Sequence, residues 1–330
     1  MTSKVAIIGD GAMGTVSALL LGEKVDAMTL WGVFPEQIAA LRADRENKRF
    51  LPGHRLPDNV VPTGDDTEAL ADAQRVVSAV PCQFMRPVWQ RLKPHLPKGV
   101  AICSLTKGIE NDTLLRPSEI LRDVLGDVPV VTISGPCIAP EVASRLPASV
   151  VIASRNAALL PPVQRLFSTP WFRVYTNDDI VGVELAAAAK NVVAIAAGVI
   201  DGLGAGDNCK AALITRGLVE IRRLGLAMGA AAETFAGLAG LGDLVTTCVS
   251  PVGRNRSTGE RLGRGEKLDD ILASQPSVVE GVATTRSVMA LAARHNVEMP
   301  ITAGVHAVLF EGKKPRDAIH ELMTRQLRPE

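Results

Sequence analysis

Lys4-Val5-Ala6-Ile7-Ile8 runs without a break into Gly9-Asp10-Gly11-Ala12-Met13-Gly14, and no other stretch of the chain limits its possible folds as much. The apolar run reads as a strand, and three glycines at G-x-G-x-x-G spacing read as the turn out of it. The first glycine allows the tight turn. The second lets the backbone approach a pyrophosphate, and the third lets the next helix pack closely on the sheet. That helix points its positive N-terminal end at the phosphates. A glycine-rich turn alone is weak evidence, so its context decides. Here a helix-like stretch, 15–21, follows at once, and a second strand candidate stands at 25–30. The segment predicts a dinucleotide-binding loop with Gly9, Gly11, Ala12, Met13 and Gly14 at the cofactor.

Two domains are the natural expectation for 330 residues. Lysine plus arginine (36) nearly balances aspartate plus glutamate (35), so no basic field calls for nucleic acid or an anionic membrane. Aromatics at 3% argue against base-stacking platforms. Cys82, Cys103, Cys137, Cys209 and Cys248 are scattered, without C-x-x-C or histidines at metal-ligand spacing. They read as reduced thiols in a cytoplasm, with no metal site. The most apolar later run, 192–200, reads as too short to cross a bilayer, and no signal pattern precedes Lys4. The expectation is a soluble, cytoplasmic protein without membrane insertion.

The first half alternates strand and helix patterns, the signature of a mostly parallel, doubly wound α/β sheet. Strands are expected at 4–8, 25–30, 75–80, 100–104, 128–134, 149–153 and 172–175, with helices at 12–21, 35–43, 83–93, 113–125 and 157–167. Asp178-Asp179 then supplies helix-capping carboxylates, and alanine-, leucine- and glycine-rich helical periodicity follows. The expected organisation is a Rossmann-type dinucleotide-binding domain over 1–180 and an all-α substrate-binding, catalytic domain over 181–330. A ligand is expected between them, above the carboxyl ends of the strands.

Several polar residues fall where chemistry could sit. Lys107 follows the strand ending at Ser104, and Ser134-Gly135-Pro136-Cys137 forms another strand-to-helix junction. A solvated loop lysine and an ordinary turn are the plain alternatives. Lys190 and Asn191 lie in an apolar helix, with Glu184, Ala187 and Asn191 near one face. A lysine there either snorkels to water or, if enclosed, has its pKa lowered toward values useful for proton transfer, with a neighbouring carboxylate limiting the fall. Asp243 stands on a glycine-rich turn, as a helix cap or a catalytic carboxylate. Gly253-Arg254-Asn255-Arg256 pairs a planar cation with an amide, a sensible phosphate clamp if not simply surface.

Taken in order, these phrases resemble the soluble NAD(P)-dependent glycerol-3-phosphate dehydrogenase family across nearly the whole chain. The resemblance is carried by the Gly9/Gly11/Gly14 loop, Leu30-Trp31-Gly32, Phe50-Leu51-Pro52, Thr106-Lys107-Gly108-Ile109-Glu110, Ser134-Gly135-Pro136, Ala139-Pro140-Glu141-Val142-Ala143, Ala189-Lys190-Asn191-Val192, Gly240-Leu241-Gly242-Asp243-Leu244, Arg254-Asn255-Arg256 and Val279-Glu280-Gly281. It implies interconversion of dihydroxyacetone phosphate and sn-glycerol 3-phosphate by hydride transfer with NAD or NADP, feeding glycerophospholipid synthesis, in a homodimer. It implies that Lys190 is the general acid/base, helped by Lys107 and Asn191, with Asp243 orienting the lysines and Thr247 joining their network. Gly135, Cys137, Gly253, Arg254 and Asn255 would contact the small phosphorylated substrate together with Lys107, Lys190 and Asp243. Val33, Lys107, Ala139, Arg254, Val278 and Glu280 would contact the cofactor.

Four positions depart from that pattern. Met13 replaces a frequent aromatic, Cys137 and Gly253 replace serines, and Val33 stands where many bacterial members carry arginine or histidine. With neither a cation nor an acid at 31–33, NAD is slightly favoured over NADP, or both serve. Two alternatives remain open at this level. One is a related two-domain reductase acting on another small ketone, such as a ketopantoate or β-hydroxyacid dehydrogenase; the other is a catalytically silent cofactor sensor.

Overall fold

The computed structural model describes residues 3–275 and 277–327, so residues 1 and 330, the outer ends of the two expected domains, lie outside it. The chain divides into two compact units. One comprises Met1–Lys107 with Leu115–Glu184, and the other Gly108–Leu114 with Leu185–Glu330.

The first unit is built on eight strands: β1 (Lys4–Ile8), β2 (Ala27–Trp31), β3 (Val60–Thr63), β4 (Arg75–Ser78), β5 (Ala101–Ser104), β6 (Val130–Ser134), β7 (Ala148–Ala153) and β8 (Phe172–Asn177). They lie in the order β3-β2-β1-β4-β5-β6-β7-β8, parallel except where β7 runs antiparallel to β6. Both faces of β1 are covered, which explains its continuous apolar run. Val5 and Ile7 join one core with Val16 and Leu21, while Ala6 and Ile8 join another with Met85 and Trp89. This is the expected doubly wound α/β fold.

The expected strands and helices differ from the observed ones in places. The edge strand β3 was not expected, because Val60-Val61-Pro62-Thr63 is short and carries a proline. Proline is tolerated at a sheet edge, and the Pro62 carbonyl takes a hydrogen bond from Arg42 Nε at 2.7 Å. The helices Asp66–Leu70 and Ala139–Ala143 are five residues each, too short to show periodicity. The helix expected from 113 begins at Pro117, where proline occupies the first turn.

Asp179 caps the helix Ile180–Leu203 by accepting from Gly182 N at 2.8 Å. That helix has 24 residues and is apolar enough to span a bilayer, contrary to the short run read from the sequence. Its most apolar window is 89% buried, so it serves as a core helix. The expected boundary at 180/181 falls at its start, whereas the units divide four residues later, after Glu184.

The second unit is helical, with no strand among its described residues. Within it the helix Asp207–Ala227 carries Glu220, which is buried and accepts from Ile301 N at 2.6 Å, Thr302 N at 3.2 Å and Thr302 Oγ1 at 3.3 Å. Burial outweighs these bonds and lifts its pKa from 4.5 to about 7. Because the folded-state pKa is raised, the native state retains a proton that the unfolded chain has released once pH exceeds 4.5. Stability should therefore fall between about pH 4.5 and 7, by about 1.4 kcal/mol per unit and roughly 3 kcal/mol in all, then level off. Urea unfolding at intervals across that range, with Glu220→Gln alongside, checks this; the variant should lose most of the slope.

Candidate active site

In the first unit the glycine loop joins β1 to the helix α1 (Ala12–Leu21). Gly9 adopts φ +113°, and a Cβ there would lie 2.7 Å from Ala79 O. At Gly14 a Cβ would meet Gly9 O at 1.8 Å, so the helix can approach only because the side chain is missing. Gly11 has open space instead, with nothing within 4 Å of its Cβ position. It precedes α1 in an extended conformation, and no side chain caps the helix. Unobstructed backbone before uncapped N–H groups fits a pyrophosphate, so these residues suit a dinucleotide. Ala12 and Met13 begin the helix, and Met13 packs partly against the sheet core.

Exposed apolar side chains follow the carboxyl ends of two strands. Val33 and Phe34 come directly after β2, and Phe84 follows β4. Val33 is one of the expected cofactor contacts; Phe34 and Phe84 were not among the candidates, because exposure of an aromatic cannot be read from its sequence position.

After β5, Leu105 N donates to Ser78 O at 2.8 Å and Thr106 Oγ1 to Val80 O at 2.7 Å, fixing the backbone ahead of Lys107. Lys107 Nζ donates to Gly135 O at 3.1 Å and lies 3.9 Å from Cys137 Sγ. Cys137 in turn donates to the same carbonyl at 3.2 Å. Gly135 takes φ +132°, with Val150 Cα only 3.0 Å from its Cβ position, so the β6 junction requires glycine. Ala139 opens the short helix beyond it. Lys107, Gly135 and Cys137 thus form one cluster.

In the second unit Lys190 is enclosed, which resolves the choice between snorkelling and burial. Its Nζ donates to Thr247 Oγ1 at 2.6 Å and pairs with Asp243 Oδ1 at 3.1 Å. Thr247 Oγ1 donates to the Asp243 carbonyl at 2.6 Å. Asp243 heads the helix Asp243–Val249 directly after a π-helical turn, Leu238–Gly242. Such wide turns redirect the side chains that follow them. Gly240 permits this one, since a Cβ there would lie 2.1 Å from Phe235 O. The carboxylate beside Lys190 is therefore Asp243. Glu184, earlier on the same helix, pairs instead with Arg116 at 2.5 Å and accepts from Ser118 N at 2.8 Å and Oγ at 2.7 Å.

Asn191 is buried next to Lys190. The helix Arg254–Gly263 crosses the Lys190 helix through glycines on both sides. A Cβ at Gly198 would lie 1.9 Å from Arg256 O, and one at Gly259 would lie 1.9 Å from Ile195 O. Backbone thus packs on backbone, fixing where Arg254-Asn255 stands relative to Lys190. Asn255 Oδ1 accepts from Gly281 N at 2.9 Å, while Arg254 reaches Val278 O at 2.8 Å and Ser277 Oγ at 3.2 Å. Gly253 precedes this helix, and Glu280 heads a later one, Glu280–Arg294. Lys190, Asn191, Asp243, Thr247, Arg254, Asn255, Val278 and Glu280 all belong to the second unit.

A Rossmann-type sheet followed by a helical unit with a buried lysine–aspartate pair defines the class of two-unit NAD(P)-linked dehydrogenases. The profiles for the N-terminal and C-terminal parts of NAD-dependent glycerol-3-phosphate dehydrogenase match residues 4–160 and 179–320. The glycerol-3-phosphate dehydrogenase [NAD(P)+] of Citrifermentans bemidjiense is 47% identical, covering 100% of this chain and 99% of its own. That of Geobacter sulfurreducens is 48% identical, with coverage of 100% and 99%. The solved structure of glycerol-3-phosphate dehydrogenase from Coxiella burnetii is 38% identical, with a TM-score of 0.95 over 98% of this chain and 99% of that one. The chain belongs to the NAD(P)-dependent glycerol-3-phosphate dehydrogenase family.

Proposed function

We propose that this chain interconverts dihydroxyacetone phosphate and sn-glycerol 3-phosphate with NAD(H) or NADP(H). The observation that carries the reading is the enclosed Lys190, hydrogen-bonded to Thr247 and paired with Asp243, on a helix locked by glycines to the one bearing Arg254 and Asn255. The nicotinamide, when bound, supplies or takes the hydride at the substrate carbon.

The rest of the chemistry belongs to the chain. As hydride reaches the carbonyl carbon, negative charge gathers on its oxygen, and Lys190 Nζ delivers the proton there. In the reverse direction Lys190 takes it back. Asp243 offsets the cost of burying the ammonium, and Thr247 holds its position through a bond to the Asp243 carbonyl. Lys107 and Asn191 hold and polarise the substrate. Arg254 and Asn255 receive its phosphate, the guanidinium offering paired donors to two oxygens. Gly135, Cys137 and Gly253 line the substrate, and the glycine loop, Val33, Ala139, Val278 and Glu280 serve the cofactor.

Cys137 and Gly253 lack the hydroxyl that serine would bring, so position 137 offers a thiol beside Lys107 and position 253 only its backbone. A role in glycerophospholipid synthesis, a homodimer and a cytoplasmic location complete the reading; sedimentation at equilibrium tests the dimer.

The deciding experiment is oxidation of NADH and NADPH, side by side, with dihydroxyacetone phosphate as acceptor. Turnover with the phosphorylated ketone and little with dihydroxyacetone itself is expected. Cofactor binding without turnover would overturn the reading in favour of a sensor. Arg254→Ala should raise KM for dihydroxyacetone phosphate about 10- to 100-fold, as expected for losing charge-assisted hydrogen bonds of about 1.5–3 kcal/mol, with a smaller change in kcat. Steady-state kinetics check it; an unchanged KM would move the phosphate elsewhere.

A further inference from the structure

Dinucleotide-binding sheets tell NAD from NADP beyond the second strand, where an acid binds the adenosine ribose 2′-hydroxyl or a cation receives the 2′-phosphate. Here β2 ends at Trp31 and continues into Gly32 and Val33, none of them charged. The structure brings an acid to this place from a different loop. Strands β1 and β2 pair in register up to Ile8 and Trp31, so the residues just beyond each strand stand side by side. Asp10 follows β1, and its carboxyl rests against Gly32. A Cβ built on Gly32 would lie 2.4 Å from both Asp10 Cγ and Oδ2. Any other residue at 32 would displace the carboxyl.

The surrounding backbone is fixed. Gly9 N donates to Trp31 O at 2.9 Å, and Gly32 N donates to Thr63 O at 3.1 Å. The buried Asn47 side chain donates to Asp10 O at 2.8 Å and to Thr15 Oγ1 at 2.7 Å. Asp10 Oδ2 is nevertheless buried with no hydrogen-bond partner among the described residues. Buried acceptors are nearly always satisfied, so an oxygen left without a donor on a fixed backbone points to a ligand group that supplies one. Burial pushes the Asp10 pKa up; a hydrogen bond from its own backbone N–H and then the Arg49 charge oppose this, and Glu36 adds to it. Arg49 lies over the Phe50 ring, 5.0 Å from its centre.

We propose that Asp10 selects NAD(H) over NADP(H), accepting a hydrogen bond from the adenosine ribose 2′-hydroxyl and repelling a 2′-phosphate. The proposal rests on the NAD(P)-dependent reading above and adds which of the two cofactors is bound and by which residue. With Asp10 ionised, the charges at this point are two acids against the Arg49 cation, an unfavourable setting for a phosphate dianion. Neutralising Asp10 leaves Arg49 opposed by Glu36 alone, so a 2′-phosphate should gain more than a hydroxyl loses.

The test is equilibrium binding, without substrate or turnover. Dissociation constants for NADH, NADPH, ADP-ribose and 2′-phospho-ADP-ribose are measured by calorimetry for the wild type, Asp10→Asn and Asp10→Ser. Circular dichroism confirms that each variant is folded. The wild type should bind each 2′-hydroxyl ligand at least tenfold more tightly than its 2′-phosphorylated partner. Both variants should shrink that ratio at least tenfold, mainly through tighter binding of the phosphorylated ligands. Equal wild-type affinities, or a ratio unchanged in whichever variant folds, would overturn the role of Asp10 and leave the dehydrogenase reading intact. A wild type that binds none of the four would overturn both.

Discussion

Lys190→Ala should lower kcat by about 10²- to 10⁴-fold while leaving NADH affinity within a few-fold of wild type, because positioned proton transfer contributes about that much to rate. The argument is geometric before it is electrostatic. The ammonium is buried, donates to Thr247 Oγ1 at 2.6 Å and pairs with Asp243 at 3.1 Å, so it is presented in one orientation. The side chain is not needed for the glycine loop, which lies in the other unit. Single-turnover reduction of dihydroxyacetone phosphate, with NADH binding followed by fluorescence, separates the two effects. Residual kcat above about a tenth of wild type would remove Lys190 from proton transfer, since general acid/base groups are worth more than that. Lys190→Ala also strands Asp243 beside a cavity, so Lys190→Met, which fills the space, should show the same loss of kcat if the proton and not the packing matters.

Glu184→Ala should cost about 3–5 kcal/mol of stability at pH 7, the usual penalty for removing one partner of a buried ion pair. Arg116 and Glu184 are both buried, so Arg116 would keep its pair with Glu119, whose side chain is about one-third exposed, and a 3.4 Å bond to Ser118 Oγ. Ser118 would lose its acceptor for both N–H and O–H. Burial pushes the Glu184 pKa up, while Arg116 and the two Ser118 bonds pull it back. Urea unfolding of the wild type, Glu184→Ala and Glu184→Gln measures this. The glutamine variant keeps an acceptor for Ser118 and should lose less. A loss under about 1 kcal/mol for alanine, typical of an exposed pair, would show that the pair is not structural.

These residues show how far local patterns carry. The glycine loop was legible because its constraints are local: turn, close approach and helix packing all lie within six positions. The inner strands were legible because both faces of the sheet are buried there, which makes their sequences largely apolar, whereas the edge strand β8 alternates buried Phe172 and Val174 with exposed Arg173 and Tyr175. The edge strand β3 was not legible, since an edge relaxes the demand for apolar residues and admits Pro62. The 24-residue core helix was read as a shorter run because Glu184 and Lys190 interrupt its hydropathy. Both charges are in fact buried, each matched by an opposite charge distant in sequence.

Pairing of that kind lies outside what one sequence states. Residue types and spacing picked out Lys107, Lys190, Asp243 and Arg254 as candidates, but left each one open between chemistry and solvent. Folding enclosed Lys190 and turned Asp243, rather than Glu184, toward it. It also tethered Arg254 to Val278 and returned Gly108–Leu114 to the second unit.

Asp10 marks the division most sharply. In the sequence it is the variable position between two loop glycines, and the acid expected beyond the second strand is missing. In the fold the missing Gly32 side chain lets the Asp10 carboxyl occupy that place. The sequence by itself determined the sheet, the helical half and the family, because periodicity, glycine sterics and ordered motifs act over short stretches of chain. Only the tertiary structure decided which charges are buried and what faces them, because burial and opposition depend on residues brought together from far along the chain.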